Sequence, residues 1–134
     1  MSINIKDLPK VLPDSEHDFV LESDGAFTKA KYSGKFKFRV PNIKASLTEQ
    51  KKFAELNGTS VEEELKKLPE DVLIINSMIA FLHATLVECP EWFKASEYGH
   101  DLYDSNILGE IYTKCKAFER EYTEKLWAPK DEQN

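Results

Sequence analysis

Cysteine is scarce in this chain. Among 134 residues, Cys89 and Cys115 are the whole complement, and they form no CxxC pair. That excludes a zinc knuckle and a thioredoxin-type site. Each lies among apolar neighbours, so the expectation for both is a buried free thiol. The short catalytic signatures are missing too. There is no GxGxxG, no GxxxxGK[ST], no GxSxG and no HExxH. A positive field is also lacking. The 24 acidic residues outnumber 18 basic ones, for a net charge of -6. Such a balance excludes general binding to nucleic acid, which needs cations to attract phosphates. The opening residues, MSINIKDLPKVLPDSEHDF, hold no apolar run of signal-peptide length. The expectation is a protein kept in a reducing cytoplasm.

Long apolar runs are absent as well, although one segment comes near. In VLIINSMIAFLHATLVECPEWF, Val72 to Phe93, the longest unbroken piece is Met78 to Leu82. Asn76, Ser77, His83, Thr85 and Glu88 interrupt the rest. A membrane helix needs ~20 mostly apolar residues, so a span is not expected. The segment is then either a core helix or a surface for another protein.

What is present is a change of period along the chain. Residues 1–26 read as irregular, with Pro9 and Pro13 and a cluster of acids from Asp14 to Asp24. FTKAKYSGKFKFRV alternates around Ser33-Gly34, which predicts a β-hairpin over 27–41 with Ser33-Gly34-Lys35 as its loop. That register gathers Tyr32, Phe36, Ala30, Phe38, Thr28 and Val40 on one face. Lys29, Lys31, Lys37 and Arg39 take the other. Helical patterns follow. Ser46 with Glu49 and Ser60 with Glu63 have capping-box spacing, and Gly58 is a helix stop. Helices are predicted at about 47–57, 61–68, 70–89 and 105–126, with 127–134 a frayed tail. In the last helix Ile107, Ile111, Cys115, Phe118 and Tyr122 form one apolar stripe. The fold class expected is mainly α with a small N-terminal β-hairpin, an α+β domain at 27–126. Its helices should form a bundle around the central apolar helix.

Chemistry-bearing clusters are few. His83 reads as a core or interface histidine, hydrogen-bonded to Asn76 or to backbone. Glu16-His17-Asp18 and His100-Asp101 are the sole metal candidates, but adjacent residues rarely point at one ion. No metal, cofactor or catalytic residue is expected. Trp92 and Phe93 after Pro90 suit either an anchor for a partner or a lid on the core. The Lys29, Lys31, Lys37 and Arg39 face is either a docking strip for an acidic partner or is neutralised by the Asp14–Asp24 acids.

The order of features resembles the small tail assembly chaperones of long-tailed bacteriophages. A strand pair of the kind YSGKFKFRV comes first, then charged helices, then an apolar helix with Asn76 and Ala80. Pro90, Trp92 and Phe93 follow, and a last helix carries Leu108, Glu110, Ile111, Tyr112, Phe118 and Glu119. The likeness covers about residues 27–122. It implies a non-catalytic protein in the cytoplasm of an infected host, binding the tape measure protein and supporting assembly of tail tube protein. Trp92, Phe93 and the four cations are then the expected partner-binding residues. The alternative is a self-associating adaptor or regulator, a homo-oligomer that buries the central helix within its own assembly.

Overall fold

The computed structural model describes residues 12–128. The expectations for residues 1–11, and for the tail from 129 onward, lie outside them. The chain is an α+β mixture, a three-stranded antiparallel sheet with helices against one face. Its elements run β1 (Glu16–Asp24), β2 (Lys31–Arg39), α1 (Ile43–Asn57), α2 (Glu62–Leu65), α3 (Glu70–Thr85), β3 (Leu86–Glu88), α4 (Glu91–Ala95) and α5 (Ser105–Trp127).

The hairpin is real, but its turn lies elsewhere. Strands β1 and β2 pair from Glu16 opposite Arg39 to Asp24 opposite Lys31. The chain reverses between them, where the Gly25 amide donates to Ala30 O at 2.8 Å and the Lys29 amide to Gly25 O at 3.0 Å. Ser33 and Gly34 sit mid-strand. The expectations of an irregular 16–24 and a Ser33-Gly34-Lys35 loop are therefore both corrected. Alternation explains the outcome: Phe19, Leu21, Phe36 and Phe38 all face the helices, as period two requires.

Gly34 supplies space rather than curvature. A Cβ there would lie 2.1 Å from Pro90 Cγ, because the connection after β3 crosses the middle of β2. Glycine inside a strand commonly marks such a close approach. The Trp92 indole Nε1 donates to Ser33 O at 2.8 Å beside it, fixing the crossing. Gly34→Ala should therefore cost about 1–3 kcal/mol by forcing Pro90 away. Chemical denaturation measures this, and a neutral result would return the glycine to a turn.

The third strand was hidden in the expected long helix. Helix α3 stops at Thr85 instead of 89, and the next three residues extend to pair with β2, Phe38 opposite Leu86 and Lys37 opposite Glu88. Helix α1 begins a turn before the expected start at 47. The Asn42 side chain accepts from the Ala45 amide at 2.9 Å, a cap that replaces the Ser46–Glu49 box. Its stop at Gly58, φ 76°, falls where the sequence placed it. The Ser60–Glu63 box is not used, since Val61 occupies the cap position of the four-residue α2.

The core lies between the sheet and the helices. Leu21, Phe36 and Phe38 come from the sheet, Ile79, Phe81 and Leu82 from α3, and Phe93 from α4. Ile107, Leu108, Ile111 and Cys115 complete it from α5, the stripe that the sequence showed. No helix among the described residues is long and apolar enough to cross a membrane.

Candidate functional site

The basic face of the hairpin is matched by acids. On the outward side of the sheet Arg39 stands opposite Glu16, Lys37 opposite Asp18, and Lys31 opposite Asp24. Arg39 Nη2 reaches Glu16 Oε2 at 2.6 Å, and Lys37 lies 3.9 Å from Glu88. Opposite charges directly across paired strands stabilise the pairing. Lys29 sits apart, in the reversal between β1 and β2 with φ 65°. The four cations therefore make no single unopposed strip. The acids that neutralise them lie in β1, a strand the sequence reading missed.

Trp92 and Phe93 pack as a lid on the core, one of the two roles the sequence left open. Phe93 is wholly enclosed, packed edge-on to Phe36 and Tyr98 with ring centroids 5.5 and 5.8 Å apart. It cannot meet a partner in this state, and its place in the partner-binding set is corrected. Trp92 is half-buried and lies over Tyr32 and Phe36 while bonding Ser33. Together they close the core.

The polar candidates have local roles. In β1 the Glu16 and Asp18 side chains point outward while His17 points inward, so the three cannot converge on one ion. His17 stacks on Phe118 at 4.7 Å instead. His100 and Asp101 are exposed, and among the described residues no group of three potential ligands assembles. Asn76 does not reach His83. It donates to Asn57 Oδ1 at 2.7 Å, tying α3 to the end of α1. His83 Nδ1 is buried with no hydrogen bond among the described residues. Burial, reinforced by Lys52, lowers the imidazole's pKa. Burial also pushes the Cys115 thiol up to about 12, so it stays protonated and inert at neutral pH.

One polar centre carries no sequence signature. Asp104 is buried just ahead of α5 yet caps nothing in its own helix. Its carboxylate accepts from the Phe27 and Thr28 amides at 2.8 Å each, from the Tyr32 hydroxyl at 2.7 Å, and from the Thr28 hydroxyl. Asn106 adds two bonds to the same reversal, from the Ala26 amide and to Asp24 O. Gly25 makes the approach possible, because a Cβ there would meet the carboxylate at 2.3 Å. Beside this latch Phe27 and Tyr103 lie exposed, stacked at 6.4 Å.

A shallow groove of about 300 Å³ lies between the end of β2, the start of α1 and the α3–β3 junction. Arg39, Lys44, Thr48 and Thr85 are among its lining, which includes no carboxylate, histidine or cysteine. It offers no pair of groups for proton transfer.

The unexplained surface is apolar. The C-terminal half of α3 is core, but its first turns are not. Val72, Ile74 and Ile75 are 38, 47 and 38 % exposed. Helix α1, although packed on α3, has no buried residue at all. Its Ile43 and Leu47, one turn apart, face solvent at 81 and 59 %. Roughly 15 Å of helix separates Ile75 from Thr85, so the open end of α3 is far from Trp92 and forms its own patch. No family model, curated protein or solved structure matches this chain.

Proposed function

We propose that this is a non-catalytic binding protein that holds a long helical partner in solution, a phage tail assembly chaperone acting on the tape measure protein. The observation that carries the proposal is the open end of α3, where Val72, Ile74 and Ile75 face solvent although each would be stabilised by burial. The feature order quoted above, from YSGKFKFRV to the Leu108–Glu119 helix, supplies the particular family. In this reading α3 is the axis of the helical layer. Its C-terminal half is fixed in the core, and its N-terminal half is offered to the client as one wall of a helix-binding groove. Action in the host cytoplasm, on a client that tail tube protein later encloses, belongs to the same proposal.

Coexpression tests it. A tape measure protein from the same phage should gain soluble yield when the two are made together. Ile74→Asp with Ile75→Asp should abolish the gain while the circular-dichroism melt of the chaperone stays close to wild type. A client that remains insoluble, and that pulls down with no fragment, overturns the chaperone reading. A self-associating adaptor would then draw support from Ile43 and Leu47, whose spacing suits a helix–helix seam between copies.

A further inference from the structure

We infer that the segment received by the open end of α3 is a basic amphipathic helix. The inference rests on the proposal that this face binds a partner, and it names the partner's chemistry. Glu70 and Asp71 sit one turn before Ile74 and Ile75, so each exposed isoleucine has a carboxylate beside it at i,i+4 spacing. The stretch leading into the helix is acidic too. Residues 62–71 contain Glu62, Glu63, Glu64, Glu70 and Asp71 against Lys66 and Lys67. Five acids less two bases leave -3, half of the chain's net -6. Both lysines are engaged, Lys66 with Glu62 at 3.8 Å and Lys67 with Glu64 at 3.4 Å. Glu63, Glu70 and Asp71 make no ion pair with any described residue.

An apolar face beside carboxylates that no basic side chain among the described residues pairs selects its occupant by charge. A helix with Leu or Ile on one face and Lys or Arg beside it satisfies both features, and the charges steer its approach. A second copy of this chain docked by the same patch would set acid against acid, which disfavours that pairing. An anionic lipid surface is disfavoured for the same reason.

Two labelled synthetic helices test the inference. They are about 18 residues long, share one leucine stripe, and carry lysine or glutamate on the flanks. Fluorescence anisotropy at ~0.1 M salt should show the lysine peptide binding the full-length protein at least about 10-fold tighter, a difference of ~1.4 kcal/mol. Glu63→Lys with Glu70→Lys and Asp71→Lys should reverse the preference. The milder set Glu63→Gln, Glu70→Gln and Asp71→Asn should erase it without placing cations at the α3 N-terminus. Ile74→Ser with Ile75→Ser, which adds no charge, should weaken the lysine peptide as well. Equal binding of the two peptides overturns the inference, as does a preference that survives both charge sets. Lysine-peptide binding unchanged by the isoleucine substitutions overturns it too, as mere counter-charge. Failure to solubilise the tape measure protein, with the peptide preference intact, would instead remove the chaperone reading and leave this one standing.

Discussion

Phe36→Ala will lower the unfolding free energy by about 3–5 kcal/mol, as full truncation of an enclosed aromatic side chain does. Phe36 has no solvent exposure and stands where three elements meet. Across the hairpin its ring stacks on Phe19 at 5.3 Å. From α4, Trp92 and Phe93 meet it edge-on at 6.1 and 5.5 Å. Removing it deletes those aromatic contacts and leaves a cavity walled by strands and helix that cannot both close in. Total stabilities of small domains are ~5–15 kcal/mol, so much of the fold's margin would go. Urea unfolding should show a lower midpoint at unchanged slope. Phe36→Leu, which keeps most of the volume, should lose less than half as much. Val20→Ser, on the outward face of the neighbouring strand, should fall within about 0.5 kcal/mol of wild type. A Phe36→Ala loss under ~1 kcal/mol would mean that the sheet does not wall the core.

What was legible was periodicity, and what was hidden was contact. The α5 stripe announces itself because every buried position obeys the helical repeat, from Ile107 to Cys115. Strand β2 announces itself by Tyr32, Phe36 and Phe38, but Gly34 breaks the inward row at the place where a turn would fit. Only Pro90 lying against it, far along the chain, gives the glycine its meaning. Strand β1 was masked by composition. In EHDFVLESD an outward valine and an inward serine blur the alternation of His17, Phe19 and Leu21. Its acids read as part of an irregular segment able to neutralise the basic face, and the register sets three of them opposite β2 cations. Strand β3 is three residues at the end of an apolar helix, and no period is readable in three residues.

The candidate site was half legible for a related reason. An excess of apolar residues in Val72–Phe93 was visible, and the sequence rightly raised the choice between core and surface. It could not apportion them. Phe81 and Leu82 are enclosed because the sheet and α5 reach that level of α3. Val72, Ile74 and Ile75 stay open because α1 covers one side of α3 and ends at Asn57, level with Asn76. Of the two roles open to Trp92 and Phe93, partner anchor or lid on the core, their packing is that of a lid, since β2 passes directly beneath them.

Asp104→Ala will loosen the whole β1–β2 reversal, with a fall in Tm on the order of 10 °C at pH 7. The substitution leaves two amides and two hydroxyls without their acceptor. Phe27, two of whose neighbours are held by this carboxylate or by Asn106, should lose its fixed stacking on Tyr103, visible as faster amide exchange over residues 25–30. The acid range separates charge from packing. Burial by itself would raise the Asp104 carboxyl. The Thr28 hydroxyl and amide, the Tyr32 hydroxyl and the Phe27 amide together outweigh it and hold the group far below the usual carboxylate range. The same contact pushes the Tyr32 hydroxyl up. A carboxyl depressed in the fold adds stability that is complete above its unfolded value, near 3.9, and is lost as pH falls toward the folded one. The advantage of wild type over Asp104→Asn should therefore be constant from pH 7 to about pH 5 and shrink steadily below pH 4. Thermal melts of the two proteins from pH 7 to pH 2.5 measure it. A gap that holds its size down to the lowest pH would show that shape, not charge, is what the reversal requires of Asp104.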